Sequence, residues 1–270
     1  MVHRDTYASH VTSNRALAAA ALVVLALAGC RDSAHSAAAA PVASTPAASP
    51  RAASPTPTPT PTVSSPTPRR TRSAHHVLAT GAPFRWSASH VTAADLGKSW
   101  HSGCPVGPAS LRALHLTFWG FDRASHTGLL VVNARVVPAV VEAFRRMYDG
   151  RFPIRQMVPT SAYGGDDNKS MAADNTSAFN CRYAVSNGPK TWSMHAFGEA
   201  IDINTVENPY TLDGTVRPPS GKPYTRRSDV RPGMIVPGSL PVRAFSAVGW
   251  GWGGNWSSSP DYQHFSSNGK

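Results

Sequence analysis

The chain is 270 residues long, 41% hydrophobic and 15% charged, with a formal net charge of +11. Its length allows one or two domains, but residues 31–80 lack the apolar content of a core. A basic balance suits nucleic acid or any other polyanion; no nucleic-acid-binding signature occurs, and the start of the chain points outside the cell, where polymers with carboxylates and phosphates are the available polyanions.

Residues 1–29 read as an export signal. Arg4 and Arg15 supply positive charge ahead of an apolar run at 16–28. That run is about 13 residues long, and a helix needs roughly 20 to span a bilayer. It ends in Leu27-Ala28-Gly29-Cys30, which resembles the bacterial lipobox, where cleavage leaves the cysteine as a lipidated N-terminus. The alternative is a plain secretory signal cleaved near Ala28, or an uncleaved anchor. Residues 30–80 are almost entirely Ala, Pro, Ser and Thr, too poor in apolar bulk to offset the entropy of ordering. Their prolines favour polyproline II at about 3.1 Å per residue, so such a spacer could reach on the order of 100 Å from a membrane. An inert tail has the same composition. His75 and His76, with Arg69, Arg70 and Arg72, form a solvated basic patch at its end.

Residues 81–270 are enough for one domain with its own core, and hold 19 Lys and Arg against 13 Asp and Glu. Cys104 and Cys181 remain once Cys30 is assigned to the lipobox. In an oxidising compartment such a pair forms a disulfide, whereas thiolate metal ligation would call for cysteines in close spacing. Thr92 and Asp95 have the spacing of a capping box for a short helix. Leu114, Leu116 and Phe118 alternate, and Leu129 to Val132 follow after Gly120 and Gly128, which predicts a β-hairpin. Pro138 opens a helix whose Val137, Val140, Val141, Phe144 and Met147 recur at helical spacing, and Gly150 closes it. A strand is expected over 152–158, a loop over 161–176 and a short strand over 179–183. Residues 207–236 read as a long structureless excursion, of a kind that often serves as a rim or lid. Ser239 caps a last helix ending at Gly249, and a strand surrounds His264. Segregated helices and strands predict an α+β fold, a small antiparallel sheet with helices packed to one side and the site at the sheet.

The chemistry concentrates in two stretches. The first, Ser193-Met194-His195-Ala196-Phe197-Gly198-Glu199-Ala200-Ile201-Asp202, sets a histidine and a carboxylate seven residues apart. That spacing is wrong for one helical face but suits a turn at Gly198 running into a strand. Asp202 between Ile201 and Ile203 would be a buried carboxylate, costly unless a metal offsets it. The second stretch, Asp261-Tyr262-Gln263-His264, adds another imidazole. Catalytic zinc takes three such protein ligands and keeps a position for water, so His195, Asp202 and His264 are the candidate Zn²⁺ ligands. Zinc lowers the pKa of water from 15.7 to about 7, and Asp261 can accept its proton as general base. Glu199 is the rival base, but strand alternation turns it away from Asp202.

Together with Gly249-Trp250-Gly251-Trp252-Gly253-Gly254, these stretches resemble the VanY-like superfamily of bacterial zinc D-Ala-D-Ala carboxypeptidases and L-Ala-D-Glu peptidases, over residues 131–265. The resemblance implies a small α+β fold, one zinc ion and hydrolysis of peptidoglycan stem peptides. It gives Ser193 the part of a substrate-contacting serine, and Arg182 that of an arginine that polarises the scissile carbonyl or holds a substrate carboxylate. Many relatives have glutamate as the base, so Asp261 leans toward the branch that includes the L-Ala-D-Glu peptidases. The expected protein is an exported monomer on the outer face of the cell membrane, anchored through Cys30, with stem peptides and no nucleic acid as its partners. The rival readings are a non-catalytic cell-wall-binding lipoprotein of the same fold and a nonspecific metallopeptidase for proteins.

Overall fold

The computed structural model describes residues 77–78, 81–185 and 188–270. The export signal, Cys30, most of the expected linker and the basic patch at 69–76 lie outside the described residues. The strands are β1 (Val77–Leu78), β2 (Trp86–His90), β3 (Leu111–Gly120), β4 (Ser125–Asn133), β5 (Pro153–Ile154), β6 (Ala200–Asp202), β7 (Tyr210–Leu212), β8 (Thr215–Arg217), β9 (Gly251–Trp252) and β10 (His264–Ser266). The α-helices are α1 (Ala93–Leu96), α2 (Val137–Asp149), α3 (Asp167–Ala172) and α4 (Leu240–Ser246). The fold is α+β, as the segregation of elements predicts.

The larger sheet runs β1-β4-β3-β2, all antiparallel, with β5 added in parallel at the end of β3. Its centre is the predicted hairpin, in which Leu114 faces Leu130 and Leu116 faces Gly128. One face of that hairpin packs Leu114, Leu116, Leu130 and Val132 against Val140, Phe144 and Met147 of α2 and Phe245 of α4. The opposite face, reached by Leu111 and Val131, covers a smaller cluster with Leu96 of α1 and Phe179. The two long helices thus lie on one side, and only the capped turn of α1 on the other. Thr92 and Asp95 form the predicted capping box.

A second sheet, β6-β10-β9, presents Ile201, Phe265 and Trp252 to the main core. Five expectations give way. The last helix ends at Ser246, and the Ser239 hydroxyl oxygen, instead of capping it, accepts from Val236 N–H at 3.2 Å. The strand over 152–158 is two residues long: beyond Ile154, Met157 bridges to Thr176 while its carbonyl accepts from Leu129 N–H of β4 at 3.0 Å, and Val158 binds the Asn175 side chain. The loop over 161–176 contains α3, capped by the Asp166 side chain on Lys169 N–H. The excursion over 207–236 is ordered, with the β7–β8 hairpin and a 3-10 helix at Pro219–Tyr224. Residues 179–183 form no named strand, only an isolated bridge from Tyr183 to Trp192. Cys104 and Cys181 are joined by a disulfide.

Candidate metal centre

The first half of the centre is a turn. The Ser193 hydroxyl accepts from His195 N–H at 3.3 Å and caps the single 3-10 turn Met194–Phe197. Gly198 ends that turn at φ 69°, and a Cβ there would stand 2.7 Å from the backbone nitrogen of Asn133. Only glycine meets both demands, the left-handed backbone and the close approach to β4. The chain then enters β6. Alternation along that strand sends Ile201 into the core and Asp202 to the opposite face.

The second half comes from β10, whose register sets His264 across from Asp202 and Phe265 across from Ile201. The apolar pair is fixed in the core, and the polar pair is thereby held on the face toward His195. His195 Nε2 lies 3.1 Å from Asp202 Oδ2 and 3.3 Å from His264 Nδ1, and His264 Nδ1 lies 3.2 Å from Asp202 Oδ1. All three residues are buried. Each imidazole binds a carbonyl through its other nitrogen: His195 Nδ1 to Ala178 O at 2.6 Å, and His264 Nε2 to Lys270 O at 3.3 Å. Those bonds demand N–H donors, so in a neutral ring the nitrogen facing the partner carries a lone pair.

Three lone-pair donors converge on one point, and their spacing suits a metal. Ligands at about 2.0–2.1 Å around tetrahedral zinc are separated by roughly 3.3 Å, close to the observed separations. Burial opposes ionisation of the Asp202 carboxyl, but in the metal-free arrangement the charge and hydrogen bonds of the two imidazoles, facing it as donors, outweigh burial and hold it well below the usual carboxylate range; a metal cation would take their place as the compensating charge. A second His/Cys group, His101 with Cys104 and Cys181, also clusters. Its sulfurs are bonded to each other and offer no thiolate.

Asp261 stands at the edge of the same face. Its Oδ1 is buried and has no hydrogen-bond partner among the described residues. Burial, and then the charge of Asp202, push its carboxyl up to about 7 against the opposing charges of His264 and Arg182. Gly253, from the Trp-Gly run, lets it approach: a Cβ there would meet Asp261 O at 2.7 Å and His264 Cβ at 3.2 Å. Glu199 turns the other way, into an ion pair with Arg135 at 2.5 Å and a bond from the Ser267 hydroxyl at 2.9 Å.

Arg182 pairs with Asp167 of α3 at 3.0 Å, and its Nε is buried without a partner among the described residues. Burial opposes its charge, but Asp167 and Asp202 together raise its pKa above the ordinary value. The disulfide ties the residue beside it, Cys181, to the turn at Cys104. Arg182, Ser193, His195, Asp261 and His264 all line one cleft of about 710 Å³. Tyr210 and Leu212 of β7 line it as well, with Trp192, which stacks on Tyr183 at 4.1 Å. Sequence reasoning missed Asp167, Trp192 and Tyr210. All three reach the site by tertiary pairing across loops without periodicity, and no spacing signal marks them.

Residues 187–267 match the family model described as D-alanyl-D-alanine carboxypeptidase. The matched stretch contains His195, Asp202, Asp261 and His264, and Arg182 lies just ahead of it. No curated protein and no solved structure matches the chain.

Proposed function

We propose, from the match of residues 187–267 to the family model described as D-alanyl-D-alanine carboxypeptidase, that the chain is a zinc peptidase that hydrolyses peptidoglycan stem peptides. The observation that carries this reading is the convergence of His195 Nε2, Asp202 and His264 Nδ1 with a buried, unpartnered carboxylate oxygen of Asp261 beside them.

His195, Asp202 and His264 would hold the ion. Zinc bound there supplies a Lewis acid for the scissile carbonyl and an acidified water as nucleophile. Asp261 takes the proton of the attacking water on its carboxylate and returns it to the leaving amine nitrogen. Arg182 presents its guanidinium to the carbonyl oxygen as negative charge develops there, and Asp167 fixes its orientation. The cleft walls exclude water from one side of the bound peptide.

The export signal at 1–29, lipidation at Cys30 and the linker at 30–80 would place the domain at 81–270 on the outer face of the membrane, within reach of the wall. The peptidase description of the matching family supports this reading over a purely wall-binding protein, and the residues that the resemblance assigns as ligands and base, His195, Asp202, His264 and Asp261, are all present in the chain.

Two variants test the assignment. His195→Ala should lose both bound zinc and hydrolysis of a stem pentapeptide. Asp261→Ala should keep zinc at one equivalent and lose activity by at least about 10²-fold, the scale of a general base. Full activity in either variant would refute the role assigned to that residue.

A further inference from the structure

Strand β7 lies between two partners. On one side it pairs with β8, with Tyr210 opposite Arg217. On the other, Tyr210 forms an antiparallel bridge with Asp261, and Thr211 N–H donates to Pro260 O at 3.2 Å. Residues directly opposed in an antiparallel pair project to the same face, with Cβ atoms on the order of 5 Å apart. The Asp261 carboxyl faces the ligand set, so the Tyr210 ring faces it too. Both residues line the cleft with Arg182.

The Tyr210 hydroxyl has no hydrogen-bond partner among the described residues. It feels the charges of Arg217, Asp167, Arg182 and Asp261, and burial first among these influences raises its pKa above the ordinary value, so it stays a donor at neutral pH. Arg182 has part of its donor capacity already committed, through Nη2 to Asp167 and Nη1 to Tyr183 O at 3.4 Å. Tyr210 is therefore a neutral donor on the same cleft as Arg182 and opposite the base, on the wall past which a peptide bound at the centre would run.

We propose that Tyr210 is a further catalytic residue, its phenol donating a hydrogen bond to the scissile carbonyl oxygen and strengthening that bond as the oxyanion forms. This rests on the peptidase reading above. The step moves no proton from Tyr210: the water proton goes to Asp261, the C–N bond breaks, and the phenol keeps its hydrogen throughout.

The test is steady-state kinetics of the zinc-loaded full chain on a synthetic L-Ala-γ-D-Glu-L-Lys-D-Ala-D-Ala peptide, with whichever bond is cut followed by mass. Tyr210→Phe removes only the hydroxyl. It should lower kcat at least about tenfold with KM within about twofold, at unchanged zinc content and melting temperature. A phosphinate analogue of the cleaved bond, which mimics the oxyanion, should bind the variant at least about tenfold more weakly than the wild type. Unchanged kinetics, or a raised KM at constant kcat, would overturn the assignment of Tyr210 alone. A wild-type protein that cleaves nothing would overturn the peptidase reading and this inference together.

Discussion

Asp202 is legible in the sequence because burial of a carboxylate between two isoleucines demands compensation, and a pair of histidines at turn-and-strand spacing can provide it through a metal. Tyr210 is not legible, since its relation to Asp261 is a bridge between residues far apart in the chain that no local pattern records. The same contrast holds for Glu207. Its buried carboxyl lies against that of Asp174, and Arg155 bridges the two at 3.1 and 3.2 Å while stacking on Phe121. Burial, followed by Asp174, pushes Glu207 up to about 8 from an ordinary 4.5. The folded state therefore keeps a proton that the unfolded chain releases. That contribution to stability is complete below the unfolded pKa and is lost as pH rises through the folded one. Glu207→Gln keeps the shape and a donor toward Asp174. Its melting temperature should gain on that of the wild type as pH rises from about 5 to about 9, and a constant difference would remove Glu207 as the titrating group.

Among elements, α2 and the β3–β4 hairpin can be read from the sequence because their packing repeats on one face with a local period. The excursion over 207–236 cannot, because its order comes from scattered polar side chains bound to distant backbone. Asn208 is fully buried. Its Nδ2 donates to the carbonyls of Ile203, Asn204 and Gly233, and its Oδ1 accepts from Ile235 N–H at 2.6 Å and from Arg227 at 2.9 Å. Asn204, at φ 47°, adds bonds to Pro153 O, Gly233 O and Arg155 N–H. Composition alone makes such a stretch look like open loop, whereas these two asparagines lash it beside the cleft. Asn208→Ala would remove the side-chain partner of Ile235 N–H and of the Ile203 carbonyl and should cost about 2–4 kcal/mol in denaturant unfolding. A loss below about 1 kcal/mol would show that the excursion is held by something else. Because β7 belongs to this excursion, the variant should also disturb the cleft wall that carries Tyr210.

At the scale of the molecule, the division of labour is between a sheet-and-helix core and a polar face built on its edge. Ile201, Phe265 and Trp252 pack in the core, and their strand neighbours Asp202 and His264 are thereby placed toward His195. The centre is therefore as rigid as the core beneath it, which is what a ligand set needs to keep its spacing. The disulfide extends that rigidity to the segment of Arg182. Whether this face binds zinc and cuts a stem peptide is tested most directly by mass spectrometry of defined muropeptides incubated with the protein after metal removal and again after one equivalent of zinc. Intact muropeptides are expected without metal, and a single hydrolysed bond, marked by the gain of one water, once zinc is restored. Cleavage that survives metal removal, or intact muropeptides with zinc stoichiometrically bound, would contradict a zinc peptidase.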